Sequence, residues 1–462
     1  MEVLAMKNSE EHVMVESIVI IGCGAAGATA AMQARKHDRN TSVTIFNTEE
    51  YSQYSRCGLP YTISGKVKEF NDLVLMPPEN WSMLKIDAKL STQVKDIDHS
   101  SKVVFFDDKE LKYDSLVFAT GARNADPPIK GLDKDSVFGL RTLDDAKKLA
   151  SVVDHAKNLV VIGGGLIGME TAEAFHERGV NVTVVEFLPN ILLAMVDPDY
   201  AGIVEDHCIE HGIEIQTNTV AEAIVGDKAP TGVLVKSRKT GEETTIPADV
   251  VVVATGVRAN TELAEKIGVE IGSTHGIKAD ERMMTNVPGV YACGDCAEHV
   301  EFITRKPMTG GLGTIAVRQA RVAGINAAGG DEVFPGIVGA KVTKLFGLEI
   351  ASTGLTEDLA KRFGVEVVKG SIKGSTKPPY YQGGQELKVK TYFDKETGRL
   401  VGGQLLGIED AAMRINVITL GIQRGIDVDD LFNFENCYAP AICDTWDPIV
   451  QSADAARRRL KR

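Results

Sequence analysis

Two glycine-rich loops constrain the fold of this 462-residue chain more than any other feature. Residues 17–47 read SIVIIGCGAAGATAAMQARKHDRNTSVTIFN, and residues 158–187 read NLVVIGGGLIGMETAEAFHERGVNVTVVEF. In both, a G-x-G-x-x-G loop follows a β-branched run and is itself followed by a helical segment and a second hydrophobic run, which predicts two βαβ units. The first glycine permits a tight turn, the second lets a pyrophosphate approach the backbone, and the third lets helix and strand pack closely. The chain is therefore predicted to be an α/β protein with two Rossmann-like dinucleotide-binding domains.

The first loop ends in a strand that lacks the acidic residue expected to hold a ribose. Asn47 stands in that place, and an amide can still form a hydrogen bond with a hydroxyl group, although without charge. We therefore predict Asn47 as an uncharged ribose contact. The candidate cofactor-binding residues of the loop itself are Gly22, Gly24, Ala25, Ala26 and Gly27.

The second loop is followed by a strand that does end in an acidic residue, Glu186. A carboxylate there suits a free ribose 2′-hydroxyl and repels a 2′-phosphate. NADH is therefore favoured over NADPH, and NADPH stays possible if another loop supplies a cation. The candidate residues of this loop are Gly163, Gly165, Leu166, Ile167 and Gly168.

Two dinucleotide sites in one chain suggest an electron relay from a nicotinamide to a second cofactor, most economically FAD. Two hydrophobic runs that read as buried strands end in A-T-G, and such small residues at a strand end leave room for a cofactor. A third strand ends in Gly-Asp, whose carboxylate can accept hydrogen bonds from the hydroxyls of a flavin ribityl chain. The candidate cofactor-binding residues are Ala119, Thr120 and Gly121 of the first A-T-G, Gly256 of the second A-T-G, and Asp295 of the Gly-Asp end.

A lone cysteine lies in the turn YSRCGLPYTISG, residues 54–65. Cys57 could be a packing residue without a chemical role, half of a disulfide, a metal ligand or a nucleophile. Seven scattered cysteines are no secreted disulfide framework and fit a reducing cytosol. The pair Cys293 and Cys296 lacks the second pair that a zinc site needs, so no metal site is predicted; a redox dithiol there is the alternative. Arg56, next to Cys57, could favour its thiolate.

Charge and hydropathy exclude several classes of partner. The formal net charge of −13 argues against binding to nucleic acid or to an anionic membrane surface. No run approaches the ~18 uncharged apolar residues of a membrane span. The first residues are acidic and lack the apolar core of a secretory signal, so a cytoplasmic protein is expected.

The order GxGAAG, CGLPY, ATGA, GGGLIGME, ATGVRAN and YACGDCAE resembles that of the pyridine nucleotide–disulfide oxidoreductases. The single cysteine is similar to the branch of coenzyme A-disulfide reductases, NAD(P)H sulfur or polysulfide reductases and NADH oxidases. The resemblance implies a homodimer in which each active site is completed by the other subunit. It also implies a split FAD domain (1–147 and 276–334), an NAD(P) domain (148–275) and a C-terminal α+β dimerisation domain (335–462).

The same resemblance implies an FAD-dependent NAD(P)H enzyme that reduces a small disulfide, such as coenzyme A disulfide, or a polysulfide. Cys57 would form the mixed disulfide or persulfide. Tyr380 and Tyr438 would reach the cysteine of the partner subunit and donate a proton or hydrogen bond to the leaving thiolate. Arg35 could hold a phosphate of an anionic thiol substrate, and Arg56 is a second substrate-binding candidate. After Tyr438 the chain reads APAICDTWDPI and departs from the coenzyme A-disulfide reductases, which leaves the particular substrate open.

Two other functions are considered. An NADH oxidase would make hydrogen peroxide or water, but oxidases and peroxidases of this family place a histidine in the first glycine loop, and this loop has none. An electron-transfer reductase would instead pass electrons to a small redox protein, and its activity would survive loss of Cys57.

Overall fold

The computed structural model describes residues 15–461, so the expectation about a secretory signal lies partly outside the described residues. The first unit is built on a five-stranded sheet of order β18-β7-β1-β2-β3, in which each neighbouring pair is parallel. A three-stranded antiparallel sheet, β4-β5-β6, is attached to it. Its elements are β1 Ser17–Ile21, α1 Ala25–His37, β2 Ser42–Phe46, α2 Leu59–Ile63, α3 Pro78–Met83, β3 Ile86–Lys89, β4 Val94–Asp98, β5 Val103–Phe106, β6 Lys109–Lys112, β7 Ser115–Phe118 and β8 Ala122–Asn124.

The second unit repeats this plan with a five-stranded sheet of order β12-β11-β10-β16-β9, again parallel, and an antiparallel sheet β13-β14-β15. The edge strand β9 precedes residue 148, so this sheet includes residues that the predicted boundary assigns to the first unit. Its elements are β9 Val137–Phe138, α4 Leu143–Val153, β10 Asn158–Ile162, α5 Leu166–His176, β11 Asn181–Val185, α6 Pro198–Glu210, β12 Glu214–Gln216, β13 Thr219–Val225, β14 Gly232–Ser237, β15 Glu243–Pro247, β16 Val250–Val253 and β17 Val257–Ala259. The next helix, α7 Glu262–Lys266, packs against β4 in the core of the first unit.

The chain then returns to the first unit, which it completes with β18 Val290–Ala292, β19 His299–Val300, β20 Pro307–Met308 and α8 Gly313–Ala327. Helix α8 packs against α1, and a Cβ at Gly324 would lie 2.2 Å from the backbone oxygen of Ala30. Ala28, Ala30, Ala31 and Ala34 of α1 are fully buried. The small residues of α1 are therefore explained by a helix contact too close for larger side chains.

The two A-T-G stretches continue into strands that join the units. Strand β8 pairs antiparallel with β17, so that Ala122 faces Ala259. Next to this ribbon, the Thr120 hydroxyl donates to the carbonyl of Asn260 (2.6 Å), and the Asn260 amide donates to the carbonyl of Thr120 (2.9 Å). The ribbon and these hydrogen bonds fix the chain where it crosses between the units.

The C-terminal domain has a five-stranded antiparallel sheet of order β21-β22-β25-β24-β23, on which α10 and α12 pack. Strands β24 and β25 form an antiparallel hairpin at the centre of this sheet. No helix within residues 15–461 is both long and apolar enough to cross a membrane. The elements are β21 Lys341–Leu345, β22 Leu348–Gly354, α9 Glu357–Phe363, β23 Val367–Ser375, β24 Glu386–Asp394, β25 Leu400–Gly407, α10 Ala411–Arg424, α11 Val428–Phe432 and α12 Pro448–Leu460.

A buried charged cluster joins this domain to the second unit. The Lys390 side chain is 1% exposed, and its amine lies 3.7 Å from the carboxylate of Asp197, forms a salt bridge with Asp199 and lies 4.0 Å from the ring centre of Tyr200. Tyr392 donates its hydroxyl proton to Asp197. Because a buried charge is tolerated only when it is paired, this cluster fixes the C-terminal domain against α6.

Candidate active site

The first glycine loop has the geometry of a pyrophosphate cradle. Gly22 has φ +107°, and a Cβ there would lie 2.1 Å from the backbone oxygen of Ala119 at the end of β7. A Cβ at Gly27 would lie 1.7 Å from the oxygen of Gly22, whereas a Cβ at Gly24 would meet no atom within 4 Å. The first and third glycines are thus required by packing, and the second faces open space, which fits the pyrophosphate of FAD beside the start of α1 at Ala25 and Ala26.

The second glycine loop repeats this construction. Gly163 has φ +112°, and a Cβ there would lie 2.5 Å from the oxygen of Ala254. A Cβ at Gly168 would lie 2.0 Å from the oxygen of Gly163, and a Cβ at Gly165 would again meet nothing within 4 Å. Leu166 and Ile167 then begin α5, in the same relation to the loop as the two alanines of the first unit. The loop therefore fits a second dinucleotide.

The residues that end the second strand of each unit support the adjacent loop. The Asn47 side chain accepts a hydrogen bond from the backbone N–H of Cys23 (3.3 Å) and donates to the carbonyl of Tyr51 (2.7 Å). The Glu186 carboxylate accepts from the N–H of Gly164 (2.5 Å) and is almost fully buried. Both side chains lie against their glycine loops, and their contacts with a ribose remain predictions.

A cation that the sequence did not reveal lies beside Glu186. The Arg238 guanidinium stacks 3.9 Å from the ring centre of Phe187, the residue after Glu186, and donates to the Phe187 carbonyl (3.0 Å). Arg238 follows β14 and is far from the loop in sequence, so no local pattern could indicate it. Arg238 is therefore a candidate cation for a 2′-phosphate, a role that stays a prediction.

Cys57 lies in a short 3₁₀ turn, Arg56–Gly58, just before α2, and is solvent accessible. Although the residue is accessible, surrounding atoms desolvate its sulfur. This burial raises the pKa of the thiol, and the carboxylates of Glu170 and Asp295 raise it further, whereas Arg141 lowers it. The thiol thus faces charged groups from both dinucleotide-binding units.

The cation that acts on Cys57 is Arg141, which sequence reasoning missed. Its guanidinium forms a salt bridge of 2.6 Å with Asp295, and both side chains are largely buried. The adjacent Arg56 instead donates to the carboxylate of Glu49 (2.7 Å) and to the carbonyl of Arg141 (2.5 Å), and makes no hydrogen bond with Cys57 within the described residues. Arg56 is thus held by Glu49 and by the backbone at Arg141, and its influence on the Cys57 thiolate stays a prediction.

Glu170 on α5 is the residue of the second unit whose charge acts on Cys57. Its carboxylate accepts a hydrogen bond of 2.7 Å from the Thr343 hydroxyl of β21, and burial raises its pKa. Together with Pro60 and Tyr61 of α2, Glu170 lines a small cleft. Elements of all three parts of the chain therefore meet next to the turn that carries Cys57.

Tyr380 and Tyr438, which lie 58 residues apart, are brought together on the C-terminal domain: their hydroxyl oxygens are 2.5 Å apart. The two residues are 69% and 48% exposed, and within residues 15–461 neither hydroxyl forms a hydrogen bond with Cys57 of the same chain. The hydrogen bond raises the pKa of Tyr380, which keeps that phenol protonated. The other exposed large apolar residues of this domain are Val342, Tyr381, Ile408, Met413, Leu420, Phe434, Ile442 and Trp446.

Arg35 is placed away from this site. It lies near the C-terminal end of α1, about 15 Å along the helix from the glycine loop. Its guanidinium donates to the carbonyls of Arg39 (2.8 Å) and Lys85 (2.7 Å). These contacts join α1 to the segment before β3 and do not bring Arg35 to Cys57.

The remaining thiols of the first unit belong to its core. Burial raises the pKa of Cys23 to about 12. Cys293 and Cys296 are fully buried, and the Cys296 thiol donates to the carbonyl of Phe118 (3.5 Å), so this C-x-x-C stretch packs beside β7. Within residues 15–461 no group of three or more His, Cys, Asp or Glu side chains could hold a metal ion.

Two nucleotide-binding units and an accessible thiol between them define an oxidoreductase of the flavin and pyridine nucleotide class. Residues 16–320 match the family described as "Pyridine nucleotide-disulphide oxidoreductase", and residues 341–447 match its dimerisation domain. The chain belongs to this family, and it is a flavin-dependent NAD(P)H oxidoreductase.

Individual relatives match over almost the whole chain. A protein named "NADH oxidase" from Methanocaldococcus jannaschii is 37% identical, over 96% of this chain and 99% of its own. An "NAD(P)H coenzyme A polysulfide/persulfide reductase" from Pyrococcus horikoshii is 35% identical, over 95% and 97%. The solved structure of an NAD-dependent persulfide reductase from A. fulgidus has a TM-score of 0.92 at 36% identity, covering 96% of this chain and 84% of its own.

Proposed function

We propose that this chain uses NAD(P)H to reduce a low-molecular-weight disulfide, such as coenzyme A disulfide, or a polysulfide, with Cys57 as the reacting thiol. The observation that carries the proposal is the accessible thiol of Cys57 in the turn before α2, within the influence of Glu170 from the second unit and Asp295 from the first. Five residues after Cys57 the chain carries Thr62, which is buried and donates its hydroxyl proton to the carbonyl of Leu59 (2.7 Å). Cys57 would therefore react without a neighbouring thiol.

The residues of the two loops would hold the cofactors. FAD would lie along Gly24 in the first unit, near Asn47 and Asp295, and the nicotinamide dinucleotide along Gly165 and Glu186 in the second. Bound FAD supplies the means to take a hydride from NAD(P)H and return an electron pair to a sulfur bond. We further propose the three predicted domains, 1–147 with 276–334, 148–275, and 335–462, with the exception that Val137 and Phe138 pair with the sheet of the middle domain.

The chain's own residues would perform the thiol exchange. The Cys57 thiolate attacks one sulfur of the substrate, a thiolate leaves, and Cys57 is left as a mixed disulfide or persulfide. Tyr380 of the partner subunit and Tyr438 of the partner subunit would donate a hydrogen bond or proton to that leaving thiolate. A homodimer would bring the tyrosine pair to the site, because the pair is exposed in the single chain and lies in the dimerisation domain.

The names of the relatives support this choice of substrate. They include reductases of coenzyme A polysulfide or persulfide and of coenzyme A disulfide. Coenzyme A carries an adenosine phosphate, but the side chain predicted to hold it, Arg35, already donates to two backbone carbonyls. The proposal therefore rests on the thiol chemistry of Cys57 and leaves recognition of the coenzyme to other groups.

Anaerobic turnover of the holoenzyme tests the proposal. With NADH and coenzyme A disulfide, or NADH and polysulfide, we expect thiol or sulfide release in step with NADH oxidation. Cys57→Ser should abolish release yet keep reduction of the bound flavin, and Cys208→Ala, which removes a buried thiol of α6, is the matched control and should turn over normally. Release that survives Cys57→Ser would refute the role of this thiol.

A second candidate is an NADH oxidase, because the Methanocaldococcus jannaschii relative carries that name. The same samples decide between the two in air: brisk oxygen consumption without thiol release would favour the oxidase. Electron transfer to a small redox protein is the third possibility. It predicts a Cys57→Ser variant that still reduces such a protein at the wild-type rate.

A further inference from the structure

A pair of thiols lies next to the tyrosine pair, in the segment where the chain departs from the coenzyme A-disulfide reductases. The sulfur atoms of Cys437 and Cys443 are 3.9 Å apart. Cys437 is exposed, and Cys443 is 6% exposed. A disulfide requires about 2.05 Å between the sulfurs, so side-chain rotations that bring the two sulfurs closer by roughly 2 Å would allow the bond to form.

The backbone of this segment holds the two cysteines in place. The N–H of Cys443 donates to the carbonyl of Ala439 (2.8 Å), and the Cys443 thiol donates to the carbonyl of Cys437 (3.1 Å). The Asn436 amide donates to the carbonyls of Cys437 (2.9 Å) and Asp444 (3.2 Å), which joins the start of the loop to its end. The loop thus brings the two thiols together before any bond forms between them.

The location gives the pair access to the proposed reaction. Cys437 precedes Tyr438, whose hydroxyl lies 2.5 Å from that of Tyr380. Under the proposed function, on which this inference rests, the tyrosine pair faces Cys57 of the partner subunit. An exposed thiol one residue from Tyr438 then lies at the mouth of that site.

We propose that Cys437 and Cys443 form a second redox site, a dithiol that cycles with its disulfide through exchange with Cys57 of the partner subunit. In the oxidised state, the Cys57 thiolate attacks the sulfur of Cys437, and Cys443 leaves as a thiolate and takes up a proton. Two electrons from NAD(P)H then cleave the mixed disulfide between Cys57 and Cys437, which returns both sulfurs as thiols and yields NAD(P)⁺.

The reduced pair of Cys437 and Cys443 then passes its two electrons to a small disulfide substrate. The Cys437 thiolate attacks one substrate sulfur and releases the first thiol; Cys443 then attacks Cys437, releases the second thiol and restores the internal disulfide. NAD(P)H and one proton are consumed for each substrate disulfide, and two thiols are released. Exposure suits Cys437 for the attack on substrate, and burial suits Cys443 as the resolving thiol.

Peptide mass mapping of the holoenzyme tests the inference. The tryptic peptide 425–457 contains Cys437 and Cys443 and no other cysteine, and Cys57 lies alone in peptide 57–66. The protein is oxidised anaerobically with coenzyme A disulfide, freed of reagent, treated with NADH and alkylated. We expect peptide 425–457 to lose two hydrogens and resist alkylation after oxidation, and to gain two alkyl groups after NADH.

Variants separate the pair from Cys57. In Cys57→Ser the internal disulfide should form with a chemical oxidant such as diamide but persist under NADH. Cys437→Ser should consume one NADH fewer per subunit in an anaerobic titration than the wild type, and Cys208→Ala should match the wild type. Cys443→Ser lacks the resolving thiol, so after oxidation its peptide 425–457 should carry coenzyme A on Cys437 instead of an internal disulfide. Because Cys437 is exposed, its serine variant tests the inference even if the buried replacement of Cys443 perturbs folding.

Three results would overturn the inference: no disulfide in peptide 425–457 after oxidation, a disulfide that persists while peptide 57–66 is reduced, or equal reduction of the pair in Cys57→Ser. A failure of the proposed function looks different, because peptide 57–66 would then carry no mixed disulfide or persulfide in any sample.

Discussion

Replacement of Gly24 by alanine should separate cofactor binding from folding in the first unit. Gly24 precedes α1 with φ −74°, a conformation open to alanine, and its Cβ would meet no protein atom within 4 Å. The change to the free energy of unfolding of the apoprotein should therefore be small, roughly 0.5 kcal/mol from the less favourable cap. The methyl group would, however, occupy the space in which we place the FAD pyrophosphate.

The size of the binding defect follows from the cost of overpacking. One extra methyl group in a close contact costs about 1–3 kcal/mol, which corresponds to an FAD affinity about 5- to 150-fold weaker. Gly27→Ala is the matched comparison, because its Cβ would lie 1.7 Å from the oxygen of Gly22. This clash is with backbone, so α1 must move from β1, and we expect the apoprotein to lose ~3 kcal/mol or more.

Two measurements on each variant decide the matter: flavin fluorescence quenching on titration of the apoprotein gives the FAD affinity, and urea unfolding of the apoprotein gives its stability. Gly24→Ala should lose affinity and keep stability, whereas Gly27→Ala should lose both. Wild-type FAD affinity in Gly24→Ala would refute the assignment of the pyrophosphate to this loop. Equal destabilisation by the two changes would refute the packing argument.

Four further outcomes can be checked. Glu170→Gln removes the carboxylate that, among charged groups, raises the pKa of Cys57 most. A larger fraction of Cys57 is then thiolate at a given pH, so the pH profile of its alkylation by iodoacetamide should move to lower pH. A move to higher pH would contradict this prediction. Arg238→Ala should raise the KM for NADPH more than that for NADH, and equal changes would count against a 2′-phosphate contact. Tyr380→Phe should lower kcat for disulfide reduction without changing the melting temperature, since the residue is exposed; unchanged kcat would count against its role. Lys390→Met should lower the free energy of unfolding in urea by about 3–5 kcal/mol, because it leaves a buried carboxylate without its cation, and a loss under ~1 kcal/mol would argue against the buried cluster.

The sequence predicted the features that depend on neighbouring residues. Hydrophobic runs, glycine spacing and turn residues gave the strands, the helices and both cradles, because each feature is set by a short segment and its backbone geometry. The second hydrophobic run of each βαβ unit forms the expected strand, Ser42–Phe46 as β2 and Asn181–Val185 as β11.

The side chains that tune the site could not be predicted in this way. Arg141, between β9 and α4, acts on Cys57 from 84 residues further along the chain, and Arg238 reaches Phe187 from the end of β14. Contacts of this kind depend on how separate helices and strands pack against each other, and the hydrophobic periodicity of one segment carries no information about that packing. For the same reason the position of Arg56 next to Cys57 in sequence does not reveal that its guanidinium pairs with Glu49.

The contact between α1 and α8 has a consequence for synthesis on the ribosome. The apolar face of α1 is covered by α8, which begins at Gly313, after the whole second unit has been translated. A nascent chain stalled before Gly313 would expose a row of small apolar side chains, and should be cut there by proteases that spare the released protein. The pairing of β8 with β17 brings the two ends of the interrupted unit near each other, which lessens the entropy lost when α8 meets α1.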